Sequence, residues 1–203
     1  MKRKFDLLII SSIASNLFYS LSYPVVHTYL MSFVNPRTVS ICSLISCIIV
    51  ASVNKTWLKY SKKLYKYFKH LLITEAIVYS ALIGMVLSNA ISPCTYYILD
   101  TLLFATITNN IICGGVKLKS LRYQGEKREK FDNTINYWAN ISCIIGFLIS
   151  SIVTFSWEIG FIIIFISVVI DNGFYYIAYE ETKKINSPWD LKQEVIYEKT
   201  NWK

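Results

Sequence analysis

The chain has 203 residues, enough for one ordinary domain or one small helical bundle. Hydrophobic residues make up 54% of it and charged residues only 17%, a balance that is typical of membrane proteins and unusual in soluble ones. A net charge of +8 would suit a nucleic-acid-binding protein if the basic residues formed one surface patch. They lie instead in the segments between apolar stretches, so we exclude nucleic acid as a partner and expect a lipid bilayer.

Six apolar stretches are long enough to cross a hydrocarbon core, which requires roughly 20 residues per helix. Four of them contain long runs without Asp, Glu, Lys or Arg, whereas the third carries Glu75 and the sixth carries Asp171. These stretches predict an all-α membrane domain over residues 1–184, followed by an amphipathic cytoplasmic tail at 185–203. The predicted spans are about 5–33, 38–54, 71–90, 95–115, 133–156 and 159–179.

The sixth stretch also contains a turn signal, because Asn172-Gly173 lies between two apolar runs. Such a dipeptide is typical of a β-hairpin. A hairpin beside five spanning helices would expose an open sheet edge to lipid, where its backbone groups would have no hydrogen-bond partners. We therefore predict a helix here as well.

Basic residues predict the orientation of the six spans. Twenty of the 21 Lys and Arg residues precede the first span, follow the last, or lie between spans two and three or four and five. Only Arg37 lies on the opposite side. By the positive-inside rule, we expect a multi-pass protein of the cell membrane with both termini in the cytoplasm.

The first span carries polar side chains at helical spacing, next to a proline at position 24. Such side chains could hold two helices together, or they could line a cavity. We favour a cavity because the stripe is continuous and ends in a histidine. It consists of Ser12, Asn16, Ser20, Tyr23 and His27.

Two further spans present polar faces, which is more than a purely structural bundle requires. Thr108 and Asn109 lie in the fourth span, and Asn140 lies in the fifth. We predict that these three residues form a substrate site together with four residues of the first span, namely Asn16, Ser20, Tyr23 and His27.

Three acids lie within the spans, and each is a candidate for proton coupling. Asp171 is the deepest, Asp100 lies near the outer end of the fourth span, and Glu75 lies about one turn from the inner end of the third. A charge at such depth is costly. The alternatives are structural: Asp171 could be bonded to Asn or Tyr on a neighbouring helix, and Glu75 could reach out to the basic loops.

The usual signatures of enzymes, metals and cofactors do not occur in this sequence. It has two histidines, too few for a pair of haem ligands, and no H-E-x-x-H, G-x-S-x-G or P-loop pattern. The five cysteines form no C-x-x-C pair. We therefore expect neither enzymatic activity nor a cofactor or metal site.

Taken together, the chain resembles the amino-terminal half of a major facilitator superfamily transporter. The resemblance lies in six spans with both ends inside, in polar first and fourth spans, in a basic loop between spans two and three, and in two short motifs. The fifth span contains the small-residue pattern "NISCIIGFLISS", and the sixth ends in the acidic-Thr-basic patch "YEETKK". The resemblance implies two inverted three-helix repeats and alternating access to a central cavity.

A single half of this kind implies a partner, either a second copy in parallel orientation or another six-span chain. Ser142, Gly146 and Ser150, which lie four residues apart, would lie near that interface. Two alternatives stay open. One is a substrate-binding membrane subunit similar to those of energy-coupling-factor importers, and the other is a regulatory or immunity membrane protein. The identity of a solute is not readable from the sequence.

Overall fold

The computed structural model describes residues 6–185, and every regular element within that range is a helix. All six helices are long and apolar enough to span a membrane, which confirms the predicted number of spans. Of the predicted tail at 185–203, all but Ile185 lies outside the described residues. The helices are α1 (Leu7–Met31), α2 (Pro36–Tyr65), α3 (Phe68–Leu87), α4 (Pro93–Arg122), α5 (Glu126–Ile152) and α6 (Trp157–Ile185).

Local sequence accounts for several helix starts. Asp6 caps α1, where its Oδ1 accepts a hydrogen bond from the Leu8 backbone amide at 2.9 Å. Asn35 and Ser92 cap α2 and α4 in the same way, and each is followed by a proline at the first helical position. Side-chain oxygens satisfy the free amides of a first turn, and proline has no amide to satisfy.

Four helices extend further into the basic segments than predicted. α4 continues to Arg122 rather than ending near 115, and α6 continues to Ile185 rather than ending near 179. α2 continues to Tyr65 rather than ending near residue 54, with a kink at Tyr60, whose φ of −125° is not helical. α5 begins at Glu126 rather than near 133 and ends at Ile152 rather than near 156. Lys, Arg, Glu and Leu are good helix formers, so these segments continue the helices beyond their apolar parts.

The helices pack around α1, which lies against both α5 and α6. α6 also contacts α3, while α4 lies against α2 and α3. Glycines allow the close approaches to α1. A Cβ added to Gly146 would overlap the Ser20 hydroxyl and lie 2.7 Å from the Leu17 carbonyl oxygen, and one added to Gly160 would lie 2.7 Å from Val26. Gly146 therefore packs against α1 of the same chain, and a partner interface near Ser142, Gly146 and Ser150 stays a prediction.

Two clusters of buried apolar side chains lie at opposite ends of the bundle. The end at which the Lys- and Arg-rich segments lie is called the basic end here. The basic-end cluster is Leu8, Ile9, Phe68, Leu72, Ile111, Leu118, Phe131, Ile135, Ala178 and Tyr179. The far-end cluster is Val26, Leu30, Leu82, Ile83, Val86, Tyr96 and Phe161.

Burial differs strongly between the helices. In the apolar part of α2, only 6% of the residues are buried within the chain. In the apolar part of α5, only 17% of the residues are buried. The corresponding values for the other four helices are 22–33%. α1, α3, α4 and α6 therefore form the core, and α2 and α5 flank it.

Candidate functional site

A cavity of about 540 Å³ lies among the four core helices α1, α3, α4 and α6. At one end its lining includes Val26, Leu30 and Tyr96 of the far-end cluster. At the other end it includes Ile111 of the basic-end cluster. Its volume falls in the range of about 300–1,000 Å³ that is usual for small-molecule sites.

All three acids predicted within the spans line this cavity, although they come from three different helices. Glu75 lies on α3, Asp100 on α4 and Asp171 on α6. They lie far apart in the sequence, so only the packing of the helices brings them to one cavity. Among the described residues that form the lining there is no Lys or Arg.

Glu75 joins three helices. Its Oε1 accepts a hydrogen bond from the Thr108 hydroxyl on α4 at 2.5 Å. Its Oε2 accepts one from the Asn172 side-chain amide on α6 at 2.8 Å. The side chain is only 6% exposed. The interpretation that Glu75 reaches out to the basic loops is therefore wrong, because its carboxyl group is bonded inside the bundle.

Asp171 also has a hydroxyl partner. The Ser11 hydroxyl on α1 donates a hydrogen bond to Asp171. The partner expected for Asp171 was Asn or Tyr on a neighbouring helix, and the structure provides a serine. Asp100 lines the same cavity, as does Tyr79, which lies one turn beyond Glu75 on α3.

Aromatic side chains form much of the remaining wall. On α1, the rings of Tyr19, Tyr23 and His27 follow one another along the cavity, with centroids 5.1 Å and then 4.9 Å apart. Tyr97 and Phe104 contribute from α4. The cavity therefore combines carboxyl groups with aromatic rings.

A π-helical turn at Phe104–Thr108 interrupts α4 where the helix borders the cavity. Such a turn inserts an extra residue into the helix and often occurs at functional sites. Both ends of this turn, Phe104 and Thr108, line the cavity. Thr106 in its centre donates a hydrogen bond back to the Leu102 carbonyl at 2.7 Å.

The predicted substrate residues are divided between the cavity and other parts of the bundle. Tyr23, His27 and Thr108 line it. Asn16 and Ser20 lie outside its lining, at the contact of α1 with α5. The Asn16 amide donates to the Ser12 carbonyl at 2.7 Å, and its Oδ1 lies 3.4 Å from the sulfur of Cys143. Ser20 is fully buried and donates to the Asn16 carbonyl at 2.6 Å.

The two remaining predicted residues also lie outside the lining. Asn109 is buried between α4 and α2, where its amide donates to the Asn54 side chain at 3.2 Å. Asn140 is exposed on α5. α1 and α4 each have neighbours on more than one side. Some polar side chains of each helix therefore line the cavity, and others lie at contacts with neighbouring helices.

Several lining residues were not predicted, and five of them are tyrosines. Tyr79 and Tyr97 are examples, and Tyr175 on α6 is another. Spacing was the available signal. Tyr79 lies four residues after Glu75, Tyr97 lies three residues before Asp100, and Tyr175 lies four residues after Asp171. Residues three or four apart share one face of a helix.

An ionic cluster closes the bundle at the basic end, next to the basic-end cluster. Arg122 at the end of α4 lies 3.0 Å from Asp6 at the start of α1 and 3.3 Å from Glu181 near the end of α6. The Tyr123 hydroxyl also donates a hydrogen bond to Asp6. Burial and this bond to a carboxylate raise the pKa of Tyr123 to about 12.

Metal chemistry has no evident place among residues 6–185, because they contain no group of three or more His, Cys, Asp or Glu side chains that could hold an ion. Two of the three cavity acids, Glu75 and Asp171, are held by hydroxyl and amide donors instead. The arrangement is suited to binding a small molecule through polar and aromatic contacts.

Comparison with known proteins gives no further guidance. No protein-family model matches the chain, and neither the curated proteins nor the solved structures contain a significant match. The function must therefore be argued from the cavity and the packing of the helices.

Proposed function

We propose that this protein transports a small solute across the cell membrane as one six-helix half of a major-facilitator-like transporter. The observation that carries the proposal is the cavity of about 540 Å³. Its mostly apolar lining carries three carboxyl groups, and apolar clusters lie at both of its ends. A solute site near the middle of a membrane, closed in turn towards each side, is what alternating access requires.

The neighbour relations of the helices support a pair of inverted three-helix repeats. If α1 is exchanged with α4, α2 with α5 and α3 with α6, each main contact maps onto another. The contact of α1 with α5 corresponds to that of α4 with α2, and the contact of α1 with α6 to that of α4 with α3. The contact of α3 with α6 maps onto itself.

A partner half would fit against α2 and α5. They are equivalent helices under this exchange, and they are the least buried of the six. α5 also exposes Asn140, whose amide would be costly to leave in lipid. We therefore propose a parallel homodimer or a pair with a second six-span chain, with both termini in the cytoplasm as the basic residues indicate. Co-purification of two differently tagged copies tests the homodimer, and labelling from outside at Glu158→Cys but not Lys127→Cys tests the orientation.

Transport is tested with the full chain reconstituted into proteoliposomes and exposed to a defined mixture of small metabolites. Mass spectrometry then identifies the solutes that enter. At least one should enter faster than into protein-free liposomes. Thr101→Trp, which places an indole in the cavity, should abolish that entry. The matched control is Thr154→Trp, since Thr154 is exposed in the α5–α6 connection and should leave entry unchanged.

Proton coupling is tested in the same assay with an imposed pH gradient. Glu75, Asp100 and Asp171 are the proposed coupling groups, and Asp171→Asn should remove any dependence of entry on the gradient. If no solute distinguishes the protein from empty liposomes, with or without a gradient, transport by this chain alone is contradicted.

One observation favours a second candidate, a substrate-binding membrane subunit of an importer powered by a separate ATPase. The cavity is lined by four helices of a single chain, so binding does not require a second half. Such a subunit would bind its solute as a monomer, would not transport it alone, and would co-purify with an ATPase complex from native membranes.

A further inference from the structure

We propose that the cavity binds an organic cation, that is, a positively charged group carrying apolar substituents. This inference rests on the proposed role of the cavity as a solute site, and it adds the chemical class of the solute. Three independent properties of the lining point to this class: its charge, the unused acceptor capacity of its carboxyl groups and its aromatic surface.

The charge of the lining is one-sided. Glu75, Asp100 and Asp171 supply three carboxyl groups, whereas the described part of the lining has no Lys or Arg and a single histidine, His27. Lys119 on α4 interacts with Asp171 but does not line the cavity. Acids inside a membrane protein are usually paired with a basic group or serve a function. A bound cation would supply the charge that the described walls lack.

The carboxyl groups also keep room for further hydrogen bonds. Each carboxylate has about four acceptor positions. Asp171 accepts a hydrogen bond from the Ser11 hydroxyl, and Glu75 accepts one bond on each of its two oxygens. These bonds occupy only part of that capacity, and both acids line the cavity. An ammonium or a similar donor could therefore bind without displacing a protein contact.

The aromatic walls distinguish an organic cation from a bare ion. Tyr19, Tyr23, Tyr97 and Phe104 line the cavity together with Tyr79, and the faces of such rings attract cations. A bare metal ion would need three or more close ligands, and residues 6–185 contain no such group. The volume of about 540 Å³ also suits a molecule much larger than an ion.

The test uses the purified full chain in lipid nanodiscs and radiolabelled tetraphenylphosphonium as the probe. Tetraphenylborate, which has the same shape and the opposite charge, is the competitor that controls for hydrophobic adsorption. We expect saturable binding of the cation that unlabelled tetraphenylphosphonium displaces and tetraphenylborate does not. Equal displacement by both ions would overturn the inference, because shape rather than charge would then determine binding.

Variants then locate the site. Asp100→Asn and Asp171→Asn should each weaken binding of tetraphenylphosphonium at least about tenfold, which corresponds to about 1.4 kcal/mol. The matched control is Asp132→Asn, since Asp132 is a half-exposed acid on α5 that pairs with Arg128 at 3.6 Å. Likewise, Tyr97→Leu should weaken binding, whereas Tyr137→Leu should not, because Tyr137 is 61% exposed on α5.

Folding and function are controlled separately. Gel filtration and thermal unfolding identify variants that fail to fold. Asp100 and Asp171 lie on different helices, so if one of the two variants fails to fold, the other still tests the inference. Binding at equilibrium does not depend on transport. Loss of cation binding in the variants, without transport by the wild type, would support the inference and contradict the proposed function. Transport of a solute by the wild type, with cation binding unchanged in both variants, would support the proposed function and contradict the inference.

Discussion

The acids at the basic end and the acids in the cavity have different kinds of partner. At the basic end, Asp6 and Glu181 share one guanidinium, that of Arg122, at 3.0 and 3.3 Å. In the cavity, Glu75 and Asp171 have hydroxyl and amide partners, and the described lining has no Lys or Arg. Both regions join α1, α4 and α6, and only the basic end pairs its acids with an arginine.

This difference suggests that the basic end and the cavity have different roles. Opposite charges on three helix ends hold those ends together, so the basic end is suited to closure. In the cavity, Glu75 and Asp171 accept hydrogen bonds from hydroxyl and amide donors, which another donor can replace without breaking an arginine pair, so the cavity is suited to binding. Three substitutions would sharpen or break this comparison.

The largest effect is expected from Arg122→Leu. It leaves Asp6 and Glu181 facing each other at the end of the bundle without their shared cation. Removing one partner of a buried pair costs about 3–5 kcal/mol, and we expect about 3 kcal/mol because Arg122 and Asp6 keep 17% and 16% of their side-chain exposure. Thermal unfolding in mild detergent measures it.

The matched control for this substitution is Arg128→Leu. Arg128 forms a half-exposed pair with Asp132 one helical turn away, at 3.6 Å. Such pairs contribute about 0.5 kcal/mol or less. Equal destabilisation by the two substitutions would contradict the closing role of Arg122.

A smaller effect, about 2 kcal/mol of destabilisation, is expected from Gly114→Ala. An added Cβ would overlap the ring of Phe68, which is fully buried in the basic-end cluster and cannot move aside without disturbing Tyr65 and Tyr179. Thermal unfolding of the purified protein measures this effect.

Gly173→Ala provides the control with the opposite sign. Nothing lies within 4 Å of a Cβ at this position in α6. Alanine favours a helix over glycine by about 1 kcal/mol, so this variant should be at least as stable as the wild type. A stable Gly114→Ala variant would show that the basic-end cluster is loosely packed.

The smallest effect is expected from Tyr123→Phe, which removes one hydrogen bond to Asp6 and keeps the ring that stacks on Phe131 at 4.1 Å. A hydrogen bond to a charged group contributes about 1.5 kcal/mol or somewhat more, and the partial exposure of this site reduces the expected loss to about 1 kcal/mol. Chemical unfolding measures it against Tyr137→Phe, a variant of an exposed tyrosine that should be neutral. A loss as large as that of Arg122→Leu would mean that the hydrogen bond, rather than the ion pair, holds this end.

The sequence by itself determined the six described helices that are long and apolar enough to cross a membrane. Length and hydropathy are local properties, so six spans could be predicted without knowing how they pack. α2 and α4 begin at Pro36 and Pro93, two residues before the predicted starts, where Asn35 and Ser92 cap them. The helices also continue into the basic segments beyond the predicted spans, because loss of hydropathy ends a span but does not end a helix.

Tertiary structure alone decided which polar side chains meet. Glu75, Asp100 and Asp171 were recognisable as unusual because charge is costly in lipid, but their positions in the sequence do not place them around one cavity. The polar stripe of α1 was visible as well, yet Ser20 lies against Gly146 while Tyr23 and His27 line the cavity. A helical stripe spans a broad angle, and the neighbours on either side of the helix determine which part of it faces each of them.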